Sequence, residues 1–123
     1  MRTKRVLIVD DNAVVRSLVC KLFESQSDFE ISGEAENGRD AVDKAEKLQP
    51  DLVILDLIMP VITGLDAAPL LKKLLPDTLI ILFTQQEGSE VERLAHAAGI
   101  DAVVLKSQVA SELVLKAQAC SLR

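Results

Sequence analysis

Four apolar runs along the chain each stop at a polar side chain. Val6-Leu7-Ile8-Val9 ends at Asp10-Asp11, and Leu52-Val53-Ile54-Leu55 ends at Asp56. Leu79-Ile80-Ile81-Leu82-Phe83 ends at Thr84, and Val103-Val104-Leu105 ends at Lys106. Short runs that are apolar at nearly every position predict strands buried on both faces, and Pro50 and Pro60 bracket the one that carries Asp56. A further segment, Phe29 to Ala35, alternates instead and carries Glu30, Gly33 and Glu34, as an edge strand with a wet face does. Between the strands the period becomes helical. Val15, Leu18, Val19 and Leu22 share one face, as do Ala67, Leu70, Leu71 and Leu74; Val91, Leu94, Ala95 and Ala98; and Ala110, Leu113, Val114 and Ala117. Ala41, Ala45 and Leu48 form a shorter set. Asn12 and Asn37 stand where N-caps belong, and Gly99 stands where a helix should stop.

The order is strand then helix, five times over, without a linker, repeat or low-complexity stretch. Such alternation predicts an α/β fold with a parallel sheet, helices on both faces and right-handed crossovers. The edge character of the second strand suits the flavodoxin-like, doubly wound order 2-1-3-4-5. In that order Asp10, Asp11 and Asp56 fall at the switch point between the first and third strands, at the edge where open α/β sheets bind ligands. Pro69 fits only if its helix begins shortly before it, because an interior proline costs about 3 kcal/mol.

At 123 residues the chain is read as one domain, 1–123, long enough to bury roughly 65 to 70 % of its unfolded surface. Its net charge of −5 leaves no basic stripe to displace counterions from phosphates, so direct nucleic-acid binding by this chain is not expected. Cys20 and Cys120 lie far apart within helical patterns and read as buried reduced thiols of a cytoplasmic protein. Met1-Arg2-Thr3-Lys4-Arg5 is basic, but the apolar run behind it stops at Asp10, too soon for a signal peptide, and no segment approaches a membrane span. Trp and Tyr are absent, which removes the usual stacking anchors for bases and sugars. His96 falls off the apolar stripe of its helix and reads as a surface residue.

Three carboxylates at one sheet edge repel one another unless a cation sits among them. Oxygen donors without His or Cys favour Mg²⁺, or Mn²⁺, over zinc. Such metals bridge carboxylates and phosphate oxygens. Lys106 adds a positive charge and Thr84 a hydroxyl donor, both suited to the oxygens of a phosphoryl group in transfer. A carboxylate is itself a competent nucleophile, forming an aspartyl-phosphate, and Asp56 is the best placed, leaving Asp10 and Asp11 for the metal. A single Asp after a strand is ordinarily a cap or loop residue. Five polar residues gathered at the matching edge are not explained that way.

With these residues in place the chain resembles the receiver domain of two-component response regulators. The resemblance rests on Asp10-Asp11, on Asp56 with Met59-Pro60 and Gly64, on Thr84 and on Lys106, and it runs from Val6 to about Ala119. It implies that Asp56 accepts a phosphoryl group from a sensor histidine kinase or phosphotransfer protein. Asp11 would ligate Mg²⁺ directly, Asp10 directly or through water, and the backbone carbonyl of Ile58 would complete the protein ligands. Lys106 would pair with the phosphoryl group and Thr84 would move to hydrogen-bond it. The resemblance further implies a switch that phosphorylates and dephosphorylates itself, not a turnover enzyme, and homodimerisation on phosphorylation through the last strand and helix. Ala13, Val14 and Ser17 are candidates for the partner-facing side of the first helix.

Three positions depart from the family pattern. Val103 stands three residues before the lysine, where an aromatic ring is usual, and a valine has one stiff torsion and no ring to swing. Gln85 replaces a small residue after Thr84 and would narrow access to Asp56. Ser107 replaces a proline after the lysine, as in receivers joined to helix-turn-helix DNA-binding domains, so regulation of transcription through a domain absent from this chain is an expectation. The rival within the family is a degenerate receiver that acts as a phosphorylation-independent interaction module. A haloacid-dehalogenase-type phosphatase would need an acid at Ile58, and a flavodoxin-type cofactor binder a Ser/Thr/Gly-rich loop where Asp10-Asp11-Asn12 stands.

Overall fold

The computed structural model describes residues 3–57, 59, 62–86, 88–107 and 111–121. Ile58, Pro60 and Ala110, each used above, lie outside the described residues. The elements run β1 (Lys4–Val9), α1 (Ala13–Glu24), β2 (Phe29–Ala35), α2 (Gly38–Leu48), β3 (Leu52–Leu55), α3 (Gly64–Leu74), β4 (Leu79–Thr84), α4 (Ser89–Ala97), β5 (Ala102–Leu105) and α5 (Ser111–Ser121). All strand pairings are parallel, in the expected order β2-β1-β3-β4-β5.

Side-chain alternation on the strands splits the core in two. Val6, Ile8, Ile54, Ile81 and Phe83 pack with Val19, Phe23, Leu113 and Ala117 of α1 and α5. Leu7, Val9, Val53, Leu55 and Leu82 pack with Ala41, Ala45, Ala68, Leu71 and Ala95 of α2, α3 and α4. The three inner strands are therefore buried on both faces, which is why their sequences show no alternation. β5 is less buried than its apolar run suggested. Only Val104 is fully covered, because β5 closes the sheet and has a neighbour on one side.

Both asparagine caps form. Asn12 Oδ1 accepts from the backbone N–H of Val14 (2.9 Å) and Val15 (3.2 Å), and Asn37 Oδ1 accepts from that of Asp40 (2.8 Å). Gly99 follows α4 with φ of 88°, a left-handed conformation that favours glycine. Pro69 does not lie in the first turn. The helix begins at Gly64, so Pro69 removes the bond to the Leu65 carbonyl from the second turn, on an exposed face. The stripe positions Leu18, Leu70, Leu74 and Leu94 are also exposed, whereas their partners Val19, Leu71 and Ala95 are buried. These helices lie flat on a sheet, and an apolar face about one residue narrower than the sequence pattern suffices to cover it.

β2 contains an irregularity that the sequence pattern did not reveal. Val6 pairs with Ile31 but Leu7 pairs with Gly33, so Ser32 is an extra residue in the ladder. Its hydroxyl donates to the Val6 carbonyl at 3.1 Å. Phe29 and Ile31 consequently face α1 and α5, while Ala35 faces α2 and α3.

Candidate functional site

The ends of β1, β3, β4 and β5 bring the predicted residues together. The register aligns Val9 with Leu55, and Thr84 with Leu105, so the residues that follow stand side by side. The Asp56 N–H donates to the Val9 carbonyl at 3.1 Å, and the Lys106 N–H donates to the Thr84 carbonyl at 2.7 Å. Asp10, Asp11, Asp56, Thr84 and Lys106 all line one cleft of about 240 Å³.

Asp10 (3 % exposed) and Asp56 (7 %) are buried, and Asp11 is exposed at the rim. Each offers a carboxylate oxygen, all within 4.8 Å of one another. Lys106 Nζ lies 2.8 Å from Asp10 Oδ2 and 3.4 Å from Asp56 Oδ1. Asp10 Oδ1 accepts the Asn12 N–H at 2.9 Å. The cluster thus has one ammonium between two buried carboxylates and a third carboxylate open to solvent. Such an oxygen-only set fits a hard divalent cation.

Burial pushes the Asp56 carboxyl up to about 6, the Asp10 charge pushes the same way, and Lys106 opposes both. Burial pulls Lys106 down, but its bond to Asp10 and the charges of Asp56 and Asp10 more than offset this, so its ammonium is held above the usual range. Burial thus dominates the shift of Asp56, whereas the neighbouring carboxylates together dominate that of Lys106.

Thr84 is buried, and its Oγ1 accepts the Gln86 N–H at 3.1 Å. Gln85 is exposed at the mouth of the cleft. It also borders an adjoining apolar groove of about 290 Å³ between α1 and α5. Val103 is half-buried against the α2, α3 and α4 side of the core. Ala13, Val14 and Ser17 are all exposed, whereas position 58, whose carbonyl was expected as a ligand, lies outside the described residues.

The structure supplies the reason for Gly64, a residue the sequence had singled out, and adds Arg16, which the sequence had not. A Cβ on Gly64 would stand 2.2 Å from the Asp56 carbonyl oxygen, and the Gly64 N–H donates to the Leu57 carbonyl at 2.8 Å. The start of α3 therefore presses directly on the backbone of the central carboxylate, and only glycine permits that approach. Arg16 Nη1 donates to the Asp10 carbonyl at 2.8 Å, and Arg16 Nε lies 3.1 Å from Glu34 Oε1. The available signal was position: Arg16 is one turn into a helix that starts at the site, and long helical side chains lean back toward the N-terminus.

The parallel 2-1-3-4-5 sheet carries this acidic cluster at its switch point, and the sequence matches the response regulator receiver domain family over residues 6–118. The chain belongs to that family. It is 38 % identical over 110 residues to the response regulator protein VraR of Staphylococcus saprophyticus, covering 89 % of this chain and 52 % of that protein. It is 38 % identical over 112 residues to VraR of Staphylococcus aureus, covering 90 % of this chain and 53 % of that protein. The chain thus spans about half the length of these relatives. Among solved structures, the response regulator domain of Thermotoga maritima CheB superposes with a TM-score of 0.89 at 32 % identity, covering 96 % of each chain. A LuxR-family DNA-binding response regulator from Staphylococcus aureus gives 0.88 at 30 % identity, covering 94 % of this chain and 97 % of that one. Among the described residues no helix is long and apolar enough to cross a membrane.

Proposed function

We propose that this receiver domain is a phosphorylation switch in which Asp56 accepts the phosphoryl group, with Asp10, Asp11 and Asp56 holding Mg²⁺ or Mn²⁺. The single observation that carries the reading is the gathering of three carboxylate oxygens within 4.8 Å, with Lys106 Nζ 3.4 Å from Asp56. When bound, the metal would offset the charge of the carboxylates and of the incoming phosphoryl oxygens. An Asp56 carboxylate oxygen attacks phosphorus, the bond from phosphorus to the donor nitrogen breaks, and its electron pair leaves with the donor histidine. Lys106 exchanges part of its pairing with Asp10 for the new phosphoryl oxygens. Thr84 supplies a hydroxyl to the same group once its own position shifts. Hydrolysis reverses the state: water attacks phosphorus, the bond from phosphorus to the Asp56 carboxylate oxygen breaks with its electron pair returning to the carboxylate, and inorganic phosphate leaves.

The donor is a sensor histidine kinase or phosphotransfer protein that meets the α1 end of the cleft, where Ala13, Val14 and Ser17 are exposed. Gln85 at the cleft mouth slows small donors and hydrolytic water. Output passes to a partner domain that regulates transcription, in keeping with the LuxR-family likeness and with Ser107. The test is intact mass after incubation with acetyl phosphate. The wild type gains one phosphoryl group in Mg²⁺ and none in EDTA. A chain that gains nothing from acetyl phosphate or a cognate kinase, in the presence of metal, is a degenerate receiver, and the proposal fails.

A further inference from the structure

Asp10 is fastened through its main chain as well as through its carboxylate. Its N–H donates to the Ala35 carbonyl at 3.1 Å, and its carbonyl accepts from Arg16 Nη1 at 2.8 Å. Arg16 is in turn gripped by Glu34, Nε to Oε1 at 3.1 Å, with the two side chains 19 % and 49 % exposed. Glu34 reaches α1 only because of the bulge. In a regular strand residues 29, 31, 33 and 35 share a face and residue 34 takes the other. Phe29 and Ile31 already face α1, so without the extra residue Ser32, Glu34 would turn toward α2 and Ala35 toward α1. The observed register reverses this, with Ala35 in the α2 and α3 core and Glu34 against Arg16. The bulge is itself tied down by the Ser32 hydroxyl on the Val6 carbonyl.

We propose that Arg16 is a positioning residue for the metal cluster: with Glu34 and the Ser32 bulge, it fixes the main chain of Asp10 so that the carboxylate projects into the cleft. The inference rests on the proposed function, because it gives Asp10 a metal to position for. A guanidinium fork suits the task, since one nitrogen holds the carbonyl while another holds the glutamate in a fixed plane. The neighbouring contacts agree. Lys106 and the Asn12 N–H fix the two carboxylate oxygens, and Arg16 and Ala35 fix the peptide groups on either side of the same Cα. Metal ligands held in this way lose affinity when the supporting partner is removed.

Electrostatics alone predicts the opposite sign. Arg16 is a cation beside a cation site, and removing a like charge would tighten metal binding. The experiment is Mn²⁺ titration followed by electron paramagnetic resonance on the wild type, Arg16→Gln and Glu34→Gln, with Tm recorded for each without metal. Positioning predicts that Arg16→Gln weakens Mn²⁺ binding by about tenfold, and that Glu34→Gln weakens it in the same direction by less. Unchanged or tighter binding by folded Arg16→Gln overturns the proposal, including the case in which only Tm falls. Should Arg16→Gln fail to fold, Arg16→Lys, which keeps the charge but loses the fork, decides: unchanged affinity overturns, weakened affinity supports. A wild type that binds no Mn²⁺ overturns the metal reading itself and this inference with it.

Discussion

Asp56 holds its negative charge in the folded chain at a cost, because burial and Asp10 both favour its protonated form and lift its pKa from 3.8 to about 6. Between those values the native state binds more protons than the unfolded chain, so stability falls as pH rises through that window. Above it, the full penalty is present, on the order of 2 to 3 kcal/mol. Asp56→Asn removes the charge while keeping the shape. Urea denaturation of the metal-free protein is expected to show the variant more stable than wild type by roughly that amount at pH 7, with the gap closing toward pH 4. At Gly64, alanine would drive a methyl group to 2.2 Å from the Asp56 carbonyl oxygen. Gly64→Ala is expected to cost about 1 to 3 kcal/mol of stability, by the same denaturation, and to slow Asp56 phosphorylation. The five candidate site residues were legible because each ends or closely follows an apolar strand, so topology alone brings them together. Arg16 and Glu34 were not legible. Their meeting depends on one bulged residue, Ser32, which nothing in the composition of β2 announces.

At the scale of elements, strand patterns transferred to the structure more faithfully than helix patterns. β1 from Val6 onward, β3, and β4 from Ile80 to Phe83 are covered on both faces, so these positions had to be apolar and the runs could hardly be misread. Amphipathic helices leave a choice at the margins of their stripes, and there Leu18, Leu70, Leu74 and Leu94 proved exposed. The contrast is measurable within α1. Phe23→Ala, at a fully buried ring packed edge-on against Phe29, is expected to cost about 3 to 5 kcal/mol in urea denaturation. Leu18→Ser, at a side chain 62 % exposed, is expected to stay within about 0.5 kcal/mol of wild type. The caps were legible because Asn12 and Asn37 each stand immediately before a helical period, and their side-chain bonds form as that position requires. Pro69 falls in the second turn because the start of α3 is set by the close approach of Gly64 to Asp56, a tertiary constraint that no local pattern carries.

For the molecule as a whole, the cleft and the exposed apolar side chains of α1 lie side by side. Val14 is 68 % exposed and Leu18 62 %, and Leu18 also lines the groove that shares Val15, Gln85 and Lys106 with the cleft. In the proposed switch this face receives the phosphodonor protein. Leu18→Glu is therefore expected to slow phosphotransfer from the cognate kinase while leaving acetyl phosphate labelling unchanged, and equal slowing of both would place the defect in the cleft. The strand order and the gathering of the five candidate residues were readable in the sequence because one rule, polar residues at the carboxyl ends of parallel strands, governs both. The central claim is that Asp56 carries the phosphoryl group. It is tested most directly by labelling the protein with acetyl phosphate and Mg²⁺, reducing the acyl phosphate with borohydride, and mapping the peptides by mass spectrometry. The account predicts homoserine at position 56 and nowhere else. Homoserine at Asp10 or Asp11, or an unmodified position 56 in a chain that has taken up phosphate, would contradict it.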